Sequence, residues 1–226
     1  MSRSGLASQA SHSPDGLRGE RPAASGLLTL EWQSLLLHNN RKPTACENSG
    51  GTMGEDRGYV QIYTGNGKGK TTAALGLALR CVGAGYRVYL GQFIKTADTS
   101  EAKAIAMLQG GIVHETFGSG RFIMGAPDED ELARARNGLQ RAREALHSGQ
   151  YRLVILDEII GAMGAGVLAV EEVVQLIRNR PDSVELVLTG RNVPAPILEL
   201  ADLVTEMVPL RHYFDAGVPA RTGIEM

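Results

Sequence analysis

An α/β fold, a mostly parallel sheet covered by helices on both faces, is what this sequence predicts. Three observations carry the prediction. From Gly58 onward, short β-branched or apolar runs alternate with segments of helical period. Two of the runs, Tyr151–Leu156 (YRLVIL) and Val184–Leu188 (VELVL), are almost wholly apolar, as strands buried on both faces are. A glycine-rich turn, Gly65 to Gly69, joins the first strand to the first helix, a place where such folds bind ligands.

Each element follows from its residues. Tyr59–Thr64 (YVQIYT) reads as the first strand. Lys70–Val82 is helical, because Ala74, Leu77, Ala78, Cys81 and Val82 share one face, and Gly83 and Gly85 end it. Arg87–Ile94 is the second strand, Ser100–Leu108 a helix and Ile112–Phe117 a weaker strand. A helix begins at Asp128, since three acids in its first turn complement the dipole and Leu132, Ala135, Leu139, Ala142 and Leu146 form one stripe. The arginines opposite, 134, 136, 141 and 143, read as a solvated face. After strand 151–156, Val170, Val173, Val174 and Ile177 mark a helix stopped by Pro181. Strand 184–188, a short helix at Pro196–Ala201 and a last strand at Leu203–Val208 complete the order.

Residues 1–57 differ from the rest. They are rich in Ser, Gly, Pro, Asn and Arg, follow no sustained period, and bury too little apolar surface to offset the entropy of ordering. They are expected to be a disordered leader, with 58–226 as the one domain. Ser49-Gly50-Gly51-Thr52 before Met53 also admits a start at Met53; the alternative is a flexible arm that closes over the site.

Bulk properties exclude several classes. A net charge of -2 and a pI near 6.2 give no basic surface for nucleic acid. Two cysteines, Cys46 and Cys81, with no CxxC, give neither a disulfide framework nor a zinc site. No apolar run nears the ~20 residues that span a bilayer, and Arg3 is followed by no signal-like apolar stretch. A cytoplasmic protein is expected.

The chemistry concentrates at residues 64–72, TGNGKGKTT. Glycines let the backbone turn its N–H groups inward around phosphate oxygens, and the following helix adds its positive end. Gly65, Asn66, Gly67, Lys68, Gly69, Lys70, Thr71 and Thr72 are the expected nucleotide-binding residues, with Lys70 on the phosphates and Thr71 on Mg²⁺. The pattern departs from G-x-x-x-x-G-K-[ST], because Thr64 stands where the first glycine should. Lys68 either adds charge or is an ordinary exposed lysine. Asp157-Glu158, directly after the buried strand YRLVIL, supplies acids for Mg²⁺ opposite the loop. The fold class is thus P-loop NTPase-like, of RecA-like architecture.

The loop GNGKGKTTAA resembles that of the P-loop corrinoid adenosyltransferases. Other segments are similar to the same family: Gln92-Phe93-Ile94-Lys95, Leu156-Asp157-Glu158, residues 187–191 (VLTGR), residues 201–207 (ADLVTEM), and the tail HYFDAGV at 212–218 with GIE at 223–225. They cover 58–226 in order. Two segments depart: Ile159 to Gly164 follow the acids where many members have Asn and an aromatic, and residues 121–124 (RFIM) replace an aromatic-rich stretch.

The resemblance implies transfer of the 5′-deoxyadenosyl group of ATP to the Co(I) of a reduced corrinoid, with triphosphate leaving. It implies Lys70, Thr71 and Glu158 as catalytic residues, Arg191 as a nucleotide contact, and Thr71, Asp157 and Glu158 as holders of Mg²⁺ or Mn²⁺. It also implies ATP lying reversed, ribose toward the acceptor, a homodimer, and a flavoprotein or other reductase as electron source. Phe122, Met124 and a flexible loop at Gly161–Gly166 are candidates for the corrinoid pocket, or else a core aromatic and a surface loop. Co(I) has no proton to lose, so no general base is needed, and the chain offers no persuasive Ser-His-Asp or Cys-His set. His212 is as open to a structural as to a functional role. Two rivals stand beside this reading: a phosphoryl-transfer enzyme or ATPase with Arg191 recruited as a finger, and a non-catalytic nucleotide or corrinoid sensor.

Overall fold

The computed structural model describes residues 57–96, 99–108, 110–120 and 125–225. The expected leader up to residue 56, with Met53, lies outside these residues, as do Phe122 and Met124.

In chain order the elements are β1 (Val60–Thr64), α1 (Lys70–Gly83), β2 (Val88–Gln92), α2 (Ser100–Ala106), β3 (Ile112–Thr116), α3 (Glu129–His147), β4 (Leu153–Asp157), α4 (Ile159–Gly164), α5 (Val170–Arg178), β5 (Glu185–Thr189), α6 (Ala195–Leu198) and β6 (Leu203–Glu206), then a 3₁₀ turn at Tyr213–Ala216. The six strands run β3-β2-β4-β5-β1-β6, and every described pair is parallel. Parallel neighbours need crossovers, and the helices supply them. Strand β5 lies between the loop-bearing β1 and the acid-bearing β4, the order of RecA-like sheets.

The pleat divides the core in two. Along β4, Leu153 and Ile155 face α1 and α2, while Val154 and Leu156 face the layer of α3, α4 and α5. Neighbouring β5 repeats this, with Val187 on the first face and Leu186 and Leu188 on the second. Strand β4 is buried throughout and β5 from Leu186 onward, which explains their lack of polar alternation. Helix α3 begins as its sequence indicates. Asp128 caps it by accepting from the Glu131 N–H at 2.8 Å, while the Glu131 carboxylate accepts from the Asp128 N–H.

One expectation fails here. Residues 161–164 are not a flexible loop but belong to α4, and Ile159, Ile160, Ala162 and Met163 are buried. Four apolar side chains within five residues anchor that turn to the sheet, and the bracketing glycines do not loosen it. A Cβ at Gly190 would meet Ile160 Cβ at 2.7 Å and Gly161 N at 2.8 Å, so α4 and the end of β5 close directly on each other. The last helix is also shorter than expected, a single turn at Ala195–Leu198.

Candidate nucleotide-binding site

Register places the site. Gln92 pairs with Asp157 across β2 and β4, and Tyr63 with Thr189 across β1 and β5, so several strands end at one level. Here β1 gives way to the glycine turn. Thr64 is the last residue of the strand, paired with Glu206, and the left-handed turn is taken one residue later by Gly65 (φ 93). That shift accounts for a threonine where the usual pattern has glycine. The turn rests on the end of β6: the Gly67 N–H donates to the Met207 carbonyl at 2.7 Å, and a Cβ at Gly65 or Gly67 would lie 2.5 or 2.6 Å from that oxygen. The segment ADLVTEM is thus the floor beneath the loop. Gly69, at φ 123, starts α1 with no side-chain cap, leaving the amides of Lys70, Thr71 and Thr72 at a bare, positive helix end.

Lys70 is buried, and its Nζ donates to the carbonyls of Gly65 at 2.7 Å and Gly67 at 3.0 Å. Burial and then the nearby Arg191 charge pull its pKa down, while Glu158 and Asp157 oppose this. Lys68 reaches the C-terminal tail, donating to the Tyr213 hydroxyl at 2.9 Å and to Glu225 Oε1 at 2.8 Å. It is therefore not an idle loop lysine.

Asp157 ends β4 with 0% exposure. Its carboxylate accepts from Thr71 Oγ1 at 2.9 Å, Thr189 Oγ1 at 2.6 Å, Gln92 Nε2 at 3.0 Å and Lys95 Nζ at 2.8 Å. Burial alone would raise its pKa; the Lys95 charge and the bonds from Lys95, Thr189 and Gln92 outweigh that and hold it low. Glu158 differs. Its backbone is left-handed (φ 60), fixed by its N–H donating to Thr189 Oγ1 at 2.8 Å, and its carboxylate enters the cleft. Burial, then the Asp157 charge, push its pKa up.

A cleft of about 490 Å³ opens here, lined by residues 66–72 with Lys95, Glu158, Arg191, His212 and Glu225. The structure thus brings together Asn66, Gly67, Lys68, Gly69, Lys70, Thr71, Thr72, Glu158 and Arg191, with Gly65 and Asp157 directly behind them. Sequence reasoning missed Lys95, Gln92, Thr189, Tyr213 and Glu225 as parts of this site. The signal for the first three was present, since QFIK and VLTGR sit at the carboxyl ends of strands in a parallel sheet. His114 on β3 contacts Gln92 Oε1 at 2.6 Å and so stands behind the acid by way of Gln92.

The oxygen donors Thr71 and Asp157, with Glu158 in the same cleft, suit a hard cation such as Mg²⁺. Among the described residues no group of three or more His, Cys, Asp or Glu could hold a metal ion by itself. No helix among the described residues is long and apolar enough to cross a membrane.

The parallel sheet, the bare helix end behind a glycine turn and the buried acid opposite it define a P-loop protein of RecA-like architecture. Residues 56–226 match the family described as ATP:corrinoid adenosyltransferase BtuR/CobO/CobP, and the chain belongs to that family. It is 39% identical over 172 residues to the corrinoid adenosyltransferase of Escherichia coli (strain K12), covering 76% of this chain and 87% of that one. It is 37% identical to corrinoid adenosyltransferase CobA of Salmonella typhimurium (strain LT2), with the same coverage. A KaiC-like protein of Pyrococcus horikoshii superposes at a TM-score of 0.49 with 17% identity, over 67% of this chain and 73% of that one. The chain is a transferase that moves the adenosyl group of ATP to a corrinoid.

Proposed function

We propose that the cleft grips ATP by its triphosphate and presents the ribose C5′ to the cobalt of a reduced corrinoid. The observation that carries this is the Thr71–Asp157 contact behind a bare helix end, a seat for polyphosphate and cation. Co(I) attacks C5′ with its electron pair, the Co–C bond forms as the C5′–O bond breaks, and triphosphate leaves with the electrons of that bond. Cobalt ends as Co(III). No proton moves, so the protein's part is alignment and charge stabilisation.

The loop amides at residues 65–72 surround the phosphates. Lys70, drawn off the Gly65 and Gly67 carbonyls, meets them as a cation, and Arg191, in the same cleft, adds a second charge. Thr71, Asp157 and Glu158 would hold Mg²⁺ (or Mn²⁺), which supplies charge neutralisation on the leaving triphosphate. Burial and then the neighbouring Asp157 charge raise the Glu158 pKa against the pull of Lys95, Lys70 and Arg191, and a cation would relieve it. Phe122 and Met124 stay our candidates for the corrinoid face; residues 161–164 belong to α4, whose apolar side chains are buried.

A homodimer fits the edge strand β6, whose residues are all exposed, and the apolar Val208 and Leu210 beyond it. A cytoplasmic setting with a reductase or flavoprotein supplying electrons suits a Co(I) acceptor. The test is product analysis with ATP, Mg²⁺ and chemically reduced corrinoid. A light-sensitive cobalt–carbon product with inorganic triphosphate is expected; ADP and phosphate would refute the proposal.

A further inference from the structure

Asp157 has no vacancy for a metal ion. A carboxylate offers about four acceptor positions, and four side chains, Thr71, Thr189, Gln92 and Lys95, already donate to this one. A cation reaches Asp157 only by exchange. Gln92 and Thr189 are fully buried and cannot withdraw. Lys95 can, because 28% of its side chain is exposed and it lines the cleft. Its Nζ also lies 3.0 Å from Thr71 Oγ1, so the ammonium spans the two groups that would share a metal ion.

The backbone imposes this aim. Ile94, just before the lysine, adopts φ 64, a rare and costly conformation for a β-branched residue. The Gly118 N–H holds the Lys95 carbonyl at 3.0 Å, and a Cβ at Gly118 would meet the Ile94 carbonyl carbon at 2.2 Å. Strain fixed by a close backbone contact points one lysine at one buried acid.

We propose that Lys95 is the resident cation of the Thr71–Asp157 seat, giving way to a divalent cation when nucleotide binds. The inference rests on the proposed nucleotide site and deepens it. With the seat filled by its own ammonium, the free enzyme binds divalent cation weakly. The arriving polyphosphate gives the displaced lysine a new anion in the same cleft, so cation binding follows nucleotide binding. Lys95 is a positioning residue by this account, acting through Asp157.

Mn²⁺ titration of nucleotide-free protein at pH 8, read by the electron-spin signal of free Mn²⁺, tests this. Lys95→Gln should bind Mn²⁺ at least ten-fold more tightly than the unsubstituted protein, Lys95→Arg should match the unsubstituted protein, and Lys95→Gln/Asp157→Asn should lose the gain. Affinity of Lys95→Gln within two-fold of the unsubstituted protein, or a gain that survives Asp157→Asn, overturns the proposal. The unsubstituted chain gives a second reading that needs no variant to fold. Mn²⁺ without nucleotide, raised to a concentration that saturates the weak site, should displace the ammonium and speed amine labelling of Lys95 several-fold, read by peptide mass against Lys103. An unchanged or slower rate at saturation contradicts exchange. ATP binding measured in EDTA reads the nucleotide site separately, so its loss would indict the site and not the exchange.

Discussion

The two ends of the sheet are built from the same strands and solve opposite problems. At the amino end, polar groups tie the edges together near solvent. Glu185 accepts from the Tyr59 N–H at 2.7 Å, Asp202 from the Val60 N–H at 2.8 Å, and Arg152 donates to the Ser183 carbonyl at 2.5 Å. At the carboxyl end, Lys70, Gln92, Asp157 and Thr189 are the buried polar and charged side chains of the described residues. A protein that sought only stability would fill such positions with apolar groups, since buried ions seldom add net stability. Charge is concentrated where a polyanion must be received, and strained backbone at Ile94 and Glu158 gathers at the same end.

The sharpest break between the ends comes from Lys70→Ala. It should cost ATP affinity at least 100-fold by equilibrium binding, the scale of about 3 kcal/mol for a charge-assisted contact, with the melting temperature little changed. Next is Gly190→Ala, where the added Cβ meets Ile160 and Gly161 at a φ of 142. Overpacking and strain should lower stability by about 2–3 kcal/mol in urea unfolding. Glu158→Gln should act through pH. Its folded pKa is raised, so the carboxyl is best tolerated protonated, and stability is lost as pH rises through that pKa. In EDTA the substitution should therefore raise the melting temperature at pH 8 and leave it unchanged at acid pH. The smallest effect belongs to the amino end, where Asp202→Asn should cost about 1 kcal/mol and leave ATP binding as it was. Loss of ATP binding from Asp202→Asn would erase the contrast.

Much of this was legible in the chain. The apolar runs at 151–156 and 184–188 announced buried parallel strands, and GKGKTT between strand and helix announced the loop. The α4 turn was not legible, because Gly161, Gly164 and Gly166 signal a loop locally while Ile159, Ile160, Ala162 and Met163 respond to a sheet surface that only the fold creates. The place of Lys95 at a strand end was legible, but its role was not, for a related reason. A lysine after a strand is ordinary until register sets Gln92 beside Asp157 and so brings the following turn over the acid. Periodicity reads elements well and reads poorly the contacts made between strand ends far apart in sequence.

Isotope tracing of one bond measures the central claim directly. ATP carrying ¹⁸O at the bridging ribose 5′ oxygen is turned over with chemically reduced corrinoid, and the released phosphates are weighed. The account predicts that all of the label departs in inorganic triphosphate. Label that stays with the nucleoside, or emergence of unlabelled phosphate, would show cleavage at phosphorus and contradict it.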